Sequence, residues 1–169
     1  MSRFCVAMVL AGFVLTGASR AVGAEPVEGQ HYRIKNIKSK LLLAVPDKEA
    51  GEGALIVLAA QGPNQLQQWK FVKIGDYYKI VNRKTGMALN VQNESTDEGT
   101  AIIQWDASAD NENQQWSLVE KEGGYAIEAR HSGMVLTVAE KREFPVVQFL
   151  PRKNNGNQIF ELVPDKGKQ

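Results

Sequence analysis

The groups in this chain that could carry acid–base or metal chemistry are few and scattered. There are two histidines, His31 and His131, and one cysteine, Cys5, among 169 residues. Neither histidine has a second ligand at metal-binding spacing, so no metal site and no cofactor is expected. His131 precedes a Ser-Gly turn and reads as an exposed loop residue. Asp and Glu are numerous but gather in turn-like segments such as Glu94–Glu98 and Asp106–Glu112, where solvated charge is the ordinary role. A glycosidase needs two carboxylates facing one cleft, and no such pair stands out. Gly-x-Ser-x-Gly elbows, phosphate loops and dinucleotide fingerprints are absent from the sequence. The expectation is a non-enzymatic protein. One residue type does suggest recognition: Trp105 stands apart from the other two tryptophans, which share a repeated phrase.

That phrase organises the chain. It reads Asn64-Gln-Leu-Gln67-Gln-Trp69, Asn111-Glu-Asn-Gln114-Gln-Trp116 and Asn155-Gly-Asn-Gln158-Ile-Phe160. Trp116 follows Trp69 by 47 residues, and Phe160 follows Trp116 by 44. A period of this length marks a fold built from repeated supersecondary units. Other landmarks keep the same step: Tyr32-x-Ile34, Tyr78-x-Ile80 and Tyr125-x-Ile127, then Leu41–Val45, Met87–Val91 and Met134–Val138. Third strands are expected over Ala54–Ala59, Ala101–Asp106 and Pro145–Leu150. Each segment is short, alternating and bounded by Gly, Asn, Asp or Ser, which predicts an all-β fold. Three four-stranded units, at approximately 27–73, 74–120 and 121–165, are best buried as a closed threefold assembly with few free edges. Trp69, Trp116 and Phe160 are the expected shared core. Gln67, Gln114 and Gln158 lie two residues earlier on the same strand side and are expected to hydrogen-bond the adjoining turns.

The first 24 residues are expected to be a signal peptide. Arg3 is followed by an apolar run from Phe4 to Thr16, and Val22-Gly23-Ala24 offers small residues before Glu25. Residues 25–169 would then form one domain, secreted to an extracellular or periplasmic space. Cleavage removes Cys5, so no disulfide is expected. Without Arg3 and Arg20 the basic residues fall to 18 against 19 acidic ones. That balance argues against nucleic acid or a membrane surface as partner.

Three Gln-x-Trp-type repeats in register resemble the ricin B-chain type lectins, a β-trefoil family also used as carbohydrate-binding modules. The stretch Gly99-Thr-Ala-Ile-Ile-Gln-Trp105 followed by Asn113-Gln-Gln-Trp116 is very close to that family's pattern, and the likeness runs from about His31 to Pro164. The resemblance implies a pseudo-threefold β-trefoil and a saccharide or glycan ligand. It also implies one shallow sugar pocket per repeat, made by a polar residue in the second strand, an aromatic closing the third strand, and an Asn before the Gln-x-Trp phrase. Mapped onto this chain, the second repeat offers Asn90, Trp105 and Asn113, with Gln104 beside the ring. The third offers Thr137, Phe149 and Asn157, with Gln148. The first offers Ala44, Leu58 and Leu66, with Val57, and has no hydrogen-bonding group for a sugar. The second repeat is the expected main site. Asn90 replaces the family's usual Asp, and no repeat keeps that Asp. A scaffold that has lost sugar binding, acting as a protein-interaction module or protease inhibitor, is the alternative. Alternation places Trp105 and Gln104 on opposite strand faces, so Gln104 and Gln148 are either structural amides or displaced by a bulge.

Overall fold

The computed structural model describes residues 25–139 and 145–166, so the expected signal peptide at 1–24 lies outside the described residues. Twelve short strands follow one another in chain order, joined by turns and five single-turn 3-10 segments. They are β1 (His31–Asn36), β2 (Leu42–Ala44), β3 (Val57–Ala59), β4 (Trp69–Ile74), β5 (Tyr77–Asn82) and β6 (Ala88–Val91). The rest are β7 (Ile102–Trp105), β8 (Gln115–Lys121), β9 (Gly124–Ala129), β10 (Val135–Val138), β11 (Val146–Phe149) and β12 (Phe160–Pro164).

Pairing closes a ring of six strands in the order β1-β4-β5-β8-β9-β12, with β12 returning to β1. The other six form three hairpins, β2-β3, β6-β7 and β10-β11, which cap one end. This is the β-trefoil, four strands per repeat, and closure leaves the ring without an edge. Tyr32 opposes Trp69, Tyr78 opposes Trp116, and Tyr125 opposes Phe160. The three opening tyrosines are therefore equivalent positions, and so are the three aromatics.

The repeated aromatics fill the axis. Trp69, Trp116 and Phe160 are fully buried with Ile34, Ile80, Ile127, Leu43, Leu89 and Leu136. Trp69 and Trp116 each donate their indole N–H to a hairpin carbonyl, of Leu43 and of Leu89, both at 3.1 Å. The glutamines do the work foreseen for them. In each, Oε1 accepts a loop backbone N–H, from Gly62, Ser108 and Arg152. Each Nε2 donates to a carbonyl at the start of the same loop, of Ala60, Asp106 and Leu150. A buried amide is tolerated because every one of its groups is partnered.

Gly124 allows a close backbone approach in the ring. At φ +159 it starts β9 beside β12, and a Cβ there would stand 2.3 Å from the carbonyl oxygen of Phe160. Backbone cannot yield as a flexible side chain can. Gly124→Ala is expected to lower stability by about 3 kcal/mol, at the upper end of overpacking losses. Urea denaturation measures this, and a midpoint equal to that of the native protein would refute it.

Candidate functional site

The second-repeat residues lie on the β6-β7 hairpin and on the turn before β8. Cross-strand pairs run Ala88↔Trp105, Leu89↔Gln104, Asn90↔Ile103 and Val91↔Ile102. Residues directly opposite share a face, so Asn90, Ile103, Ala88 and Trp105 look one way and Leu89 and Gln104 the other. Trp105 is 43% exposed, and its ring lies over Gly53 of the preceding repeat, where a Cβ would come within 3.6 Å of Cζ3.

Asn90 and Asn113 meet. Asn113 Nδ2 donates to Asn90 Oδ1 at 3.0 Å and to the Val91 carbonyl at 3.0 Å. Gln114 Nε2 adds a second donor to Asn90 Oδ1 at 3.1 Å, and Asn90 Nδ2 turns to the Val91 carbonyl at 2.8 Å. Both asparagines are deeply buried, at 5% and 4% exposure. Asn90 thus spends its polar groups inside the protein, which differs from the surface role expected of it. Asn113 Oδ1 is buried without a hydrogen-bond partner. Beside it is a shallow hollow of about 350 Å3 lined by Glu94, Thr96, Asp110, Asn111, Glu112, Asn113 and His131. Trp105 is on the same hairpin face but does not line this hollow.

Gln104 does not belong to the surface site where it was expected. It is fully buried, donates to the Ala50 and Gly51 carbonyls at 2.8 Å, and accepts from Thr85 Oγ1 at 2.9 Å. Gln148 repeats the arrangement with the Ser95 and Asp97 carbonyls and Ser132 Oγ. Both are structural amides that pin a hairpin to the preceding repeat, and no bulge intervenes in the register.

In the third repeat, Thr137 Oγ1 donates to the Val135 carbonyl and accepts from Gln158 Nε2. A hollow of about 170 Å3 joins Thr137, Phe149, Arg152, Asn155 and Asn157. The Arg152 guanidinium lies 5.5 Å from the Phe149 ring centre, within cation–π range. Asn157 Oδ1 has no hydrogen-bond partner, as at the equivalent Asn113.

The first repeat requires a correction of one residue. Leu43 pairs with Leu58 and Leu42 with Ala59. Leu58 therefore matches Gln104 and Gln148, and Ala59 matches Trp105 and Phe149. Ala44, Ala59 and Leu66 leave the copy wholly apolar at the site positions, with Ala44 and Leu66 buried.

Two buried or half-buried polar contacts around the second repeat gave no sequence signal. His131 is half-buried rather than exposed; its Nε2 is 3.0 Å from the Ser95 carbonyl, and Nδ1 is buried without a partner. The Ser-Gly turn after it gave no signal of this. Lys79, on β5, is buried and donates to the Ser108 carbonyl. Burial pushes its ammonium below the ordinary lysine range, and Asp110 pulls it partly back. Among the described residues, no cluster of three His, Cys, Asp or Glu could hold a metal ion.

The model of ricin-type β-trefoil lectin domain-like sequences matches residues 20–105 and 106–168. Among solved structures, a designed threefold-symmetric protein, ThreeFoil, is 35% identical over 79% of this chain and 97% of its own, with a TM-score of 0.73. The exo-β-1,3-galactanase 1,3Gal43A from Clostridium thermocellum is 31% identical over 83% of this chain, with a TM-score of 0.74. The matching region is 31% of that enzyme. A Polyporus squamosus lectin, bound to the epitope Neu5Acα2-6Galβ1-4GlcNAc, shares the fold at 19% identity over 80% of this chain and 49% of its own, with a TM-score of 0.69. No curated protein sequence matches.

Proposed function

The chain belongs to the ricin-type β-trefoil lectin domain-like family, and on that premise we propose that it is a secreted, non-catalytic carbohydrate-binding protein whose main site is in the second repeat. The observation that carries the site is Trp105, a large ring left 43% exposed on the hairpin face that also bears Asn90. A pyranose has an apolar C–H face and a rim of hydroxyls, so a flat ring beside polar groups suits it. Asn113, whose Oδ1 lacks a partner, lines the neighbouring hollow and offers a further polar group on the same repeat. A galactanase and a sialoglycan-binding lectin among the structural relatives support a glycan as the ligand class.

Trp105→Ala is expected to weaken glycan binding at least about tenfold, equivalent to ~1.4 kcal/mol, and to leave the melting temperature nearly unchanged because the ring is not in the core. Glycan-array binding followed by calorimetry on the best hit tests this. Equal affinity in the mutant would move the site elsewhere.

One observation favours a second reading. Asn90 directs its side chain to Asn113, Gln114 and Val91, so the position that usually carries Asp is turned inward. A module that binds protein through its cap loops fits that arrangement. A glycan array without hits, together with saturable binding of a defined protein, would favour it.

A further inference from the structure

The three repeats differ sharply at a second place, beside the loop before the Gln-x-Trp phrase. In the first repeat, Arg33 Nη1 reaches the Gly62 carbonyl at 2.9 Å, and Arg83 donates to Gln68 Oε1 at 2.7 Å. In the second, Lys79 reaches the Ser108 carbonyl, and Arg130 donates to Gln115 Oε1 at 2.8 Å. These sets are equivalent. The Arg83 and Arg130 backbone N–H groups bond the carbonyls of Gln68 and Gln115, at 2.8 and 2.9 Å. Gly62 and Ser108 are the residues whose N–H groups the repeat glutamines capture. Each is a polar strut that props up the loop before the Gln-x-Trp phrase.

In the third repeat the same three positions are Ala126, Ile159 and Ile37. Ala126 follows Tyr125 as Lys79 follows Tyr78. The Ile37 N–H bonds the Ile159 carbonyl at 3.0 Å, and Arg152 gives its N–H to Gln158 Oε1. All strut side chains have been replaced together by apolar ones. A cavity of about 680 Å3 stands where the strut would be, lined by Ile37, Ala126 and Ile159 with Val135 and Pro151. Its mouth carries Lys121, Arg152 and Lys153 against one acid, Glu122. The volume falls within the roughly 300–1,000 Å3 of small-ligand sites, which pair an apolar lining with a few polar anchors.

We propose that this cavity binds a small amphiphilic anion, an apolar chain or ring carrying a carboxylate. The apolar part displaces water from Ile37, Ala126 and Ile159, a favourable transfer. The carboxylate stays at the rim among Lys121, Arg152 and Lys153. Arg152 and Asn155 also line the third-repeat hollow, but no residue of the second-repeat sugar site lines the cavity, so this binding and glycan binding at the second repeat stand or fall separately.

The test is a titration of the isotope-labelled protein with octanoate and, in parallel, with uncharged octan-1-ol, followed by amide chemical shifts. Octanoate is expected to give saturable shifts centred on Ala126, Gly156 and Ile159, with octanol at least about tenfold weaker. Ala126→Lys, which restores the strut of the second repeat, is expected to lower octanoate affinity at least about tenfold without lowering the melting temperature. Ala126→Met fills the same space without charge, serves if the lysine variant misfolds, and carries the same expectation. Absence of a saturable shift at millimolar octanoate, shifts centred on Trp105 instead, or undiminished binding in the filled variants would each overturn the proposal. So would self-association that covers these amides in the absence of octanoate.

Discussion

Trp116→Ala is expected to destabilise the protein by roughly 3–5 kcal/mol, the range for emptying a buried Trp or Phe position. Native stabilities are about 5–15 kcal/mol, so such a variant should sit near the edge of folding. Two terms contribute. The indole is fully buried on the threefold axis beside Leu89, Ile80 and Ile127, and the closed ring cannot collapse into the space it leaves. Its N–H also satisfies the Leu89 carbonyl at 3.1 Å, and a buried acceptor left alone costs about 1–3 kcal/mol. Trp116→Phe separates the terms, keeping most of the apolar volume and losing the hydrogen bond. The third repeat already holds Phe160 at this position, so Phe160→Ala should be milder than Trp116→Ala. Denaturant unfolding of the three variants checks the order. Equal losses for Trp116→Ala and Trp116→Phe would show that the ring volume counts for little.

The repeat made the scaffold readable. Tyr, Leu-x-Val and Gln-x-Trp landmarks recur in register because each copy performs the same packing task, and the twelve strands fall close to the segments those landmarks mark. Register within the first copy was less legible. Phe149 precedes Asn157 by the same eight residues that separate Trp105 from Asn113, whereas Ala59 precedes Leu66 by seven. Counting back from the Gln-x-Trp phrase therefore lands on Leu58, and only the pairing of Leu42 with Ala59 exposes the shorter loop. Alternation did foretell that Gln104 and Trp105 diverge, but whether a buried amide finds partners depends on Ala50 and Gly51, more than fifty residues away. His131 is similar: its contact with the Ser95 carbonyl joins two repeats. The cavity of the third copy needs Ile37, Ala126 and Ile159 to be recognised as neighbours. They come from three places far apart in sequence, the turn after β1, strand β9 and the residue before β12, and each alone looks like an ordinary apolar residue.

Gln114→Leu is expected to cost about 2–4 kcal/mol, and its partner experiment, Gln67→Leu, a similar amount. Both changes keep side-chain volume and remove an amide that closes a loop. Losing the Gln114 amide leaves the Ser108 N–H and the Asp106 carbonyl unmatched and takes one of the two donors from Asn90 Oδ1. Gln67 leaves the Gly62 N–H, the Ala60 carbonyl and an Arg33 contact. At about 1–3 kcal/mol for each buried group left unpaired, offset where a loop group reaches water, the two losses come out alike. Their effects on ligand should not. Gln114 Nε2 is the second donor to Asn90 Oδ1, so its loss loosens the Asn90–Asn113 pair, and glycan affinity should fall about tenfold. Gln67 serves a repeat whose site positions are Ala44, Ala59 and Leu66, so its loss should leave affinity unchanged at temperatures where the protein is folded. Equal weakening by both would mean that binding follows overall stability and that the second repeat holds no privileged site.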